Sequence, residues 1–264
     1  MKDILLIGYG AMGRYVLQAL RDDARARVRY VLERPSRVDR LRSELANVQV
    51  VGSMSELGTF PDLVLECAGH DAVATLAAAF LEKGVTTLIA SVGALAKPGV
   101  LERLQSAARV GDARLVIVPG ALAGIDALAA ASQRGLVSVV YVGRKPPAGW
   151  LGTPAEDVVN LSALREPVVI FEGSAGEAAS LYPRNANVAA AVALAGVGMQ
   201  RTKVSLIADP SVTRNTHRIH AVGDFGELDV SVGAEPLRDN PKTSALAALS
   251  LLRAVRNELG WMVL

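Results

Sequence analysis

The sequence predicts an α/β protein: an N-terminal Rossmann fold with a doubly wound parallel sheet, followed by a smaller α+β domain with a mixed open sheet. Three observations support this fold class. An apolar segment runs into a Gly-x-Gly-x-x-Gly motif near the N-terminus. Strand-like and helical segments then alternate up to residue 118, and successive strands separated by turns follow. We place the first domain at residues 1–120 and 240–264, and the second at residues 121–239.

The first strand, Ile4–Ile7, has no alternating polar residues and is therefore expected to be buried on both faces of the sheet. It leads into Gly8, Gly10 and Gly13, and residues 12–20 then show helical spacing. In such a turn the glycines permit a tight bend, close approach of a pyrophosphate and close helix–strand packing. The amides of Ala11 and Met12 then face the phosphates. This pattern predicts a dinucleotide-binding site.

A second strand, Arg27–Leu32, ends at Glu33, twenty residues beyond Gly13. A carboxylate at this position can accept hydrogen bonds from the adenosine ribose hydroxyls and should repel a 2′-phosphate, which favours NAD. Arg34 and Arg37 lie close by and could pair with that phosphate, so use of NADP is possible as well.

Other strands of the parallel sheet end near the same edge, where ligands of such folds bind. Leu63–Glu66 is followed by Ala68, Gly69 and His70, and Thr86–Ala90 is followed by Ser91. We expect these residues to border the cofactor. His70 is interpreted as a helix-start residue that touches the nucleotide or solvent, with Asp71 as the helix cap.

Composition restricts the class of protein. The chain has 264 residues, of which 51% are hydrophobic and 4% aromatic, and a net charge of +2 without a basic block, which gives no case for nucleic-acid binding. Its single cysteine, Cys67, allows no intramolecular disulfide and is interpreted as a small apolar residue at a strand end. The longest apolar run, residues 188–199, is too short to span a bilayer, and no signal-peptide pattern precedes the glycines. We therefore expect a cytoplasmic protein without membrane contact, and we predict no metal site.

The second half predicts further strands and helices. The strands are expected at Val137–Val142, Val168–Phe171, Val204–Ala208, Arg214–Val222 and Leu228–Val232, and the helices at Asp126–Gln133, Ala175–Leu181 and Val188–Leu194. Asn240 and Pro241 are expected to cap and open a last helix that reaches Leu259 and returns to the first domain.

The strand Arg214–Val222 contains two histidines on opposite faces. His217 shares its face with small or apolar neighbours, as in a covered pocket wall, so it is the better candidate for a proton-handling group. The spacing alone favours a hydrogen-bonded structural histidine. His220, on the polar face, is interpreted as a surface residue.

Polar residues near two predicted helix starts suit an anionic or polar ligand. Lys242, Thr243 and Ser244 combine an ammonium, two hydroxyls and helix amides, which together suit a carboxylate, but taken alone the pattern favours an ordinary capped helix. Asn187 is either a helix cap or a polar contact to a nicotinamide.

The sequence resembles the L-aspartate dehydrogenase family through nearly its whole length. The residues that carry the resemblance are Gly8-Tyr9-Gly10-Ala11-Met12-Gly13, Ser91-Val92-Gly93-Ala94, Gly120-Ala121-Leu122-Ala123-Gly124, Arg144-Lys145-Pro146-Pro147, Phe171-Glu172-Gly173-Ser174-Ala175, Tyr182-Pro183-Arg184-Asn185-Ala186-Asn187-Val188, Ala208-Asp209-Pro210, Asn215-x-His217-x-Ile219 and Asn240-Pro241-Lys242-Thr243-Ser244.

The resemblance implies a catalytic and dimerisation role for the second domain and a fold related to dihydrodipicolinate reductase. It implies NAD(P)-dependent oxidative deamination of L-aspartate to oxaloacetate and ammonia through iminoaspartate, which can feed quinolinate and NAD biosynthesis. It also implies that His217 is the active-site histidine, that Ala121 and Asn187 bind the cofactor, and that the protein is a homodimer. Arg144 is a candidate for the second substrate carboxylate.

Two other functions are considered. A reductase of a cyclic imine, similar to dihydrodipicolinate reductase, would be favoured by a paired-histidine motif followed by a lysine, which the spacing of His217 and His220 does not supply. A non-catalytic NAD(H)-sensing regulator would be favoured by a DNA-binding segment or basic stripe, and the sequence shows neither.

Overall fold

The structure is a computed structural model that describes residues 1–183, 186–237 and 240–263, apart from the side chains at 186 and 240–242. The chain divides into two compact units. Unit 1 comprises Met1–Val118 and Ala248–Leu264, and unit 2 comprises Pro119–Ala247.

Unit 1 contains the predicted parallel sheet. Its strands are β1 (Lys2–Ile7), β2 (Ala26–Leu32), β3 (Gln49–Val51), β4 (Leu63–Glu66), β5 (Thr86–Ile89) and β6 (Leu115–Ile117). They are hydrogen-bonded in the order β3-β2-β1-β4-β5-β6, and every pair is parallel. This is the doubly wound order of dinucleotide-binding folds, so the predicted fold class of this half is confirmed.

Helices connect these strands. They are α1 (Ala11–Ala19), α2 (Pro35–Glu44), α3 (His70–Ala72), α4 (Ala78–Glu82) and α5 (Val100–Val110), with a π-helical turn at Val73–Ala77 joining α3 to α4. Val16 of α1 and Val38 of α2 pack with Ile4 and Leu6 of β1 in one buried cluster. This cluster is built almost entirely from aliphatic side chains, as the low aromatic content predicts.

Unit 2 contains a mixed sheet. Its strands are β7 (Leu136–Lys145), β8 (Val168–Ser174), β9 (Lys203–Ala208), β10 (Asn215–Gly223) and β11 (Gly226–Ala234), hydrogen-bonded in the order β11-β10-β7-β9-β8. Only the pair of β7 and β9 is parallel, so the predicted mixed sheet is confirmed.

The helices of unit 2 are α6 (Ile125–Ala131), α7 (Ala155–Val158), α8 (Ala175–Leu181) and α9 (Ala186–Ala195). Helix α8 begins at a capping box, in which Ser174 Oγ accepts from the Glu177 amide at 3.2 Å and the Ser174 amide donates to Glu177 Oε2 at 2.7 Å. Just beyond α9, a Cβ added at Gly196 would lie 3.2 Å from Val139 Cγ2 of β7. That close approach covers the sheet face on which Val139 lies.

The expected helix start at Asn240 is wrong. Residues Asn240–Ser244 form a strand, β13, which pairs antiparallel with β12 (Pro236–Leu237), and the last helix, α10, spans Ala245–Leu259. From Ala248 onwards α10 belongs to unit 1, where Leu251 and Val255 are buried in the same cluster as Ile4.

Within the described residues, none of the helices combines the length and the apolar character needed to cross a membrane.

Candidate functional site

The glycine motif of unit 1 forms a narrow turn between β1 and α1. Gly8 has a φ of +92°, which side chains other than glycine rarely tolerate, and a Cβ there would lie 2.7 Å from the Ala68 Cα. A Cβ at Gly13 would lie 2.4 Å from the carbonyl oxygen of Gly8. Both positions therefore need glycine for packing within unit 1.

Gly10 differs from its two neighbours in the motif. No atom lies within 4 Å of a Cβ added at Gly10, so the protein itself does not require glycine there. Helix α1 begins one residue later, and Ala11, Met12 and Gly13 form its first turn. Backbone amides in the first turn of a helix have no acceptor within the helix. Open space beside the first-turn amides of a helix fits a pyrophosphate.

Glu33 lies at the end of β2 beside this turn, and only 5% of it is exposed. Its carboxylate accepts from the Tyr9 amide at 3.1 Å, from the Arg34 amide at 3.0 Å and from Arg37 Nη1 at 2.7 Å. The Arg34 side chain is exposed. The structure thus places Glu33 next to the glycine motif, as the sequence predicts, and Arg37 also contacts the motif through the Tyr9 carbonyl oxygen.

Glu66, at the end of β4, was not singled out from the sequence, yet it organises the adjacent loops. Its Oε1 accepts from the Ala68 and Gly69 amides, both at 2.8 Å, and from Ser91 Oγ at 2.9 Å. Its Oε2 accepts from the Ser91 amide at 3.1 Å. Burial raises the pKa of Glu66, while these four donors oppose that shift. One carboxylate therefore joins the loops that follow β4 and β5.

His70 begins α3, as expected for a helix-start residue. Asp71 does not cap this helix. The capping position is occupied by Gly69, which has a φ of +139°, and the Asp71 carboxylate instead accepts from Lys97 Nζ at 3.0 Å on the surface. The Lys97 contact cannot be predicted from a local pattern, because the ion pair joins residues that are 26 positions apart in the chain.

In unit 2 the two faces of β10 differ as predicted. His217, Ile219 and Ala221 are buried on one face. On the other face, His220 Nε2 lies 2.8 Å from Glu227 Oε1, and Arg218 pairs with Asp229. The prediction that His217, and not His220, lies on the covered face is confirmed.

His217 contacts a tyrosine of the neighbouring strand. Tyr141 Oη lies 2.8 Å from His217 Nδ1, and the two rings are nearly parallel, with centroids 6.1 Å apart and an interplanar angle of 17°. Burial, followed by the charge of Lys145, lowers the pKa of His217 from 6.5 to about 4. His217 is therefore a neutral imidazole at physiological pH.

Lys145 and Arg144 lie on opposite faces of β7, because side chains alternate along a strand. Thr216 pairs with Arg144, and His217 pairs with Gly143, so Lys145 shares the face of His217 and Arg144 does not. Arg144 instead forms an ion pair with the buried carboxylate of Asp209. The Lys145 Nζ lies 5.0 Å from the centre of the Trp150 ring, and desolvation lowers the pKa of Lys145 to about 8.

The polar residues around β13 are arranged differently from the expected helix start. Ser244 Oγ accepts from the Leu246 amide at 3.1 Å, so Ser244 caps α10 in the ordinary way. Thr243 precedes it in the strand, and the predicted contact of Lys242 lies outside the described side chains. Asn187 is the second residue of α9, and Ala121 is buried in the segment that opens unit 2.

Tyr141 and Lys145 are not identified as site residues from the sequence. Tyr141 lies inside the predicted strand Val137–Val142, but only the pairing of β7 with β10 brings it to His217. Lys145 lies beyond the predicted end of that strand, whereas β7 continues to Lys145.

Comparison with known proteins agrees with this arrangement. A protein-family model described as "Aspartate dehydrogenase, C-terminal" matches residues 126–258. A second, described as "Homoserine dehydrogenase, NAD binding domain", matches residues 8–118. The NAD-binding match covers the glycine turn, Glu33 and Glu66.

Similar proteins match over nearly the full length. An L-aspartate dehydrogenase of Pseudomonas aeruginosa is 47% identical over 260 residues, which cover 97% of each chain. The crystal structure of an aspartate dehydrogenase from Thermotoga maritima covers 100% of this chain and 99% of its own, with 25% identity and a TM-score of 0.78.

A more distant structure supports the fold alone. A dihydrodipicolinate reductase from Paenisporosarcina is 14% identical, with a TM-score of 0.52, and the match covers 98% of this chain and 92% of that one. The predicted structural relationship to that enzyme is thus confirmed. Together with the family-model match over residues 126–258 and the 47% identity over both units, the glycine turn and the buried histidine lead to one conclusion: this chain belongs to the L-aspartate dehydrogenase family.

Proposed function

We propose that this protein is an NAD(P)-dependent L-aspartate dehydrogenase, which oxidises L-aspartate to iminoaspartate and releases oxaloacetate and ammonia after hydrolysis. The observation that carries the proposal is the match to L-aspartate dehydrogenases over 97% of both chains. The imine can alternatively supply quinolinate and NAD biosynthesis.

Unit 1 supplies the residues that we propose to hold the cofactor. The turn formed by Gly8, Gly10 and Gly13, with the amides of Ala11 and Met12, has open space beside Gly10 that suits the pyrophosphate. The chemistry that NAD(P) supplies when bound is acceptance of a hydride. The other residues proposed to contact it are Glu33, Arg34, Ala68, Gly69, His70 and Ser91 from unit 1 and Ala121 and Asn187 from unit 2.

Glu33 is proposed to read the adenosine ribose. Its carboxylate is fixed by two backbone amides and Arg37 and places a negative charge beside the glycine turn. That charge favours free ribose hydroxyls over a 2′-phosphate, while the exposed Arg34 provides a positive charge that a 2′-phosphate can use. We therefore propose a preference for NAD with measurable use of NADP.

His217 is proposed to be the catalytic residue of unit 2, acting on the substrate amine or on the water that hydrolyses the imine. It is the buried titratable side chain on the covered face of β10, and its ring is held by Tyr141. The ring nitrogen that Tyr141 does not contact is the one through which His217 is proposed to exchange hydrogen bonds and protons with the ligand.

The substrate carries two carboxylates, and Lys145 is proposed to hold one of them. Its ammonium lies on the same strand face as His217, and Arg144 is engaged by Asp209 on the opposite face. Binding of a carboxylate would favour the charged form of Lys145 and offset the desolvation that lowers its pKa to about 8. Thr243 and the ammonium of Lys242 remain proposed for the other carboxylate, with Ser244 acting through its position at the α10 cap.

The protein is proposed to be a cytoplasmic homodimer. The sheet of unit 2 supports a dimer, because Val140 and Val142 lie on the face opposite His217 and are only half-buried. Light scattering during gel filtration should give twice the chain mass of 27.6 kDa. A mass of one chain at micromolar concentration would contradict the dimer.

The test of the activity is NADH formation with a panel of amino acids at alkaline pH. We expect turnover with L-aspartate and none with D-aspartate or L-glutamate. Absence of turnover with L-aspartate, in protein that still binds NADH, would overturn the enzyme assignment. Turnover with several amino acids would overturn the substrate assignment alone.

A further inference from the structure

The contact between Tyr141 and His217 joins two neighbouring strands, β7 and β10, but the two residues are not directly opposite each other. In the register of β7 and β10, His217 is directly opposite Gly143, and Tyr141 is opposite Ile219. The tyrosine ring therefore runs along its own strand, over Gly143, to bring its hydroxyl within 2.8 Å of His217 Nδ1. Tyr141 is 1% exposed and His217 is 4% exposed, so the contact is shielded from water.

Gly143 leaves the space that this path needs. A Cβ added at Gly143 would lie 2.7 Å from Tyr141 Oη and 3.2 Å from Leu206 Cδ2. The backbone of Gly143 is not in the left-handed region, so its conformation suits other residues. Glycine is required here by the tyrosine hydroxyl, and any side chain would push that hydroxyl away from the histidine.

The direction of the hydrogen bond follows from the available acceptors. Burial raises the pKa of the Tyr141 phenol, which therefore keeps its proton. Within the described part of the chain, His217 Nδ1 is the hydrogen-bond partner found for this hydroxyl. A buried O–H donor is expected to use its acceptor, so Nδ1 accepts the bond. In a neutral imidazole whose Nδ1 accepts, the proton is on Nε2.

We propose that Tyr141 is a positioning residue that holds neutral His217 in the Nε2–H tautomer, and that Gly143 makes this contact possible. The proposal rests on the proposed catalytic role of His217. It makes that role more specific: the free enzyme presents an N–H to the substrate, so His217 first acts as a hydrogen-bond donor to an oxygen or nitrogen of the ligand. Lys145, the charged group on the same face, favours a neutral ring.

The test is nitrogen NMR of full-length protein labelled with ¹⁵N in the histidine rings. The chain has three histidines, so the signals of His217 are identified as those absent from His217→Gln. In the wild type at pH 7 we expect a protonated Nε2 and an unprotonated Nδ1. In Tyr141→Phe, which keeps the ring and removes the hydroxyl, we expect a mixture of the two tautomers. Gly143→Ala keeps the Tyr141 hydroxyl but pushes it away from His217, so we expect the same mixture of tautomers in this variant.

Measurement of kcat distinguishes a positioning role of Tyr141 from a merely structural one. We expect kcat to fall about tenfold in Tyr141→Phe, the effect of losing roughly one hydrogen bond, with NADH affinity unchanged. Circular dichroism and urea unfolding show whether each variant is folded. If either Gly143→Ala or Tyr141→Phe fails to fold, the other variant still tests the contact.

Three results would overturn the proposal. They are a protonated Nδ1 in the wild type, an unchanged tautomer in Tyr141→Phe, and a changed tautomer with unchanged kcat. Failure of the proposed function would be recognised separately. Full activity of His217→Gln would show that His217 is not catalytic, and the NMR measurement would still show whether Tyr141 sets its tautomer.

Discussion

At the scale of single residues, the two histidines of β10 provide a matched pair. His217 is buried against Tyr141, and His220 lies on the opposite face beside Glu227. We expect His217→Ala to lower kcat by about 10²–10⁴-fold, the usual effect of losing an acid–base group, with little change in NADH binding. His220→Ala is the control and should retain nearly full activity. Steady-state kinetics and NADH fluorescence titration measure both, and a crippled His220→Ala with an active His217→Ala would invert the assignment.

Glu33 offers a second residue-scale prediction. Glu33→Ser removes the carboxylate that is expected to repel a 2′-phosphate and breaks the ion pair of Arg37, whose positive charge near the ribose is then no longer compensated. We expect the ratio of kcat/KM for NAD to that for NADP to shift towards NADP. Arg40→Ala is a suitable control, because its ion pair with Glu44 is exposed. An unchanged ratio in Glu33→Ser would show that Glu33 does not read the ribose.

At the scale of elements, two glycines in the turn between β1 and α1 are expected to have different roles, one in folding and the other in NADH binding. A methyl group at Gly13 would collide with the Gly8 carbonyl, whereas one at Gly10 would enter open space. We therefore expect Gly13→Ala to lower the free energy of unfolding by roughly 1–3 kcal/mol, as overpacking does. Gly10→Ala should unfold like the wild type but bind NADH more weakly, because its methyl group competes with the pyrophosphate. Urea unfolding and NADH titration on both variants decide this, and normal NADH affinity in Gly10→Ala would contradict the proposed phosphate position.

Elements were predictable where local patterns determine them. Buried parallel strands are continuous apolar runs, so β4 was found with the same bounds as in the structure. Asn240 and Pro241 form a typical helix start, yet their segment pairs with β12, and this tertiary pairing overrides the local pattern. The contact between Tyr141 and His217 spans 76 residues, and strand order cannot be read from either segment alone. Alternation identified the buried face of His217 but not its neighbour.

At the scale of the whole molecule, His217 makes stability depend on pH. Its pKa is 6.5 in an unfolded chain and about 4 in the folded protein, so between these values the unfolded chain binds more protons. The contribution of His217 to stability is therefore full above pH 6.5 and is lost as the pH is lowered towards 4. The loss is on the order of 3 kcal/mol at 1.36 kcal/mol per pKa unit. The pKa of Lys145 is lowered from 10.5 to about 8, so its contribution to stability changes at alkaline pH. That contribution is lost as the pH is lowered from 10.5 towards 8.

The measurement compares the wild type with His217→Gln by urea unfolding at pH 7 and pH 4.5. Carboxylates titrate equally in both proteins, so the difference between the two pH dependences isolates the histidine. We expect the wild type to lose more stability than the variant over this range. Parallel losses would show that the histidine is not held neutral in the fold.

Cys67 gives the protein a practical property. It is the only cysteine, its Sγ lies 3.2 Å from the Gly8 carbonyl oxygen, and burial raises the pKa of its thiol. A protonated, partly enclosed thiol is a poor nucleophile, so maleimide dyes should leave the native protein unlabelled. Cysteines introduced at surface positions would then react selectively without prior removal of the native one. The chain is thus a ready host for paired fluorophores, with which single molecules can be followed during turnover.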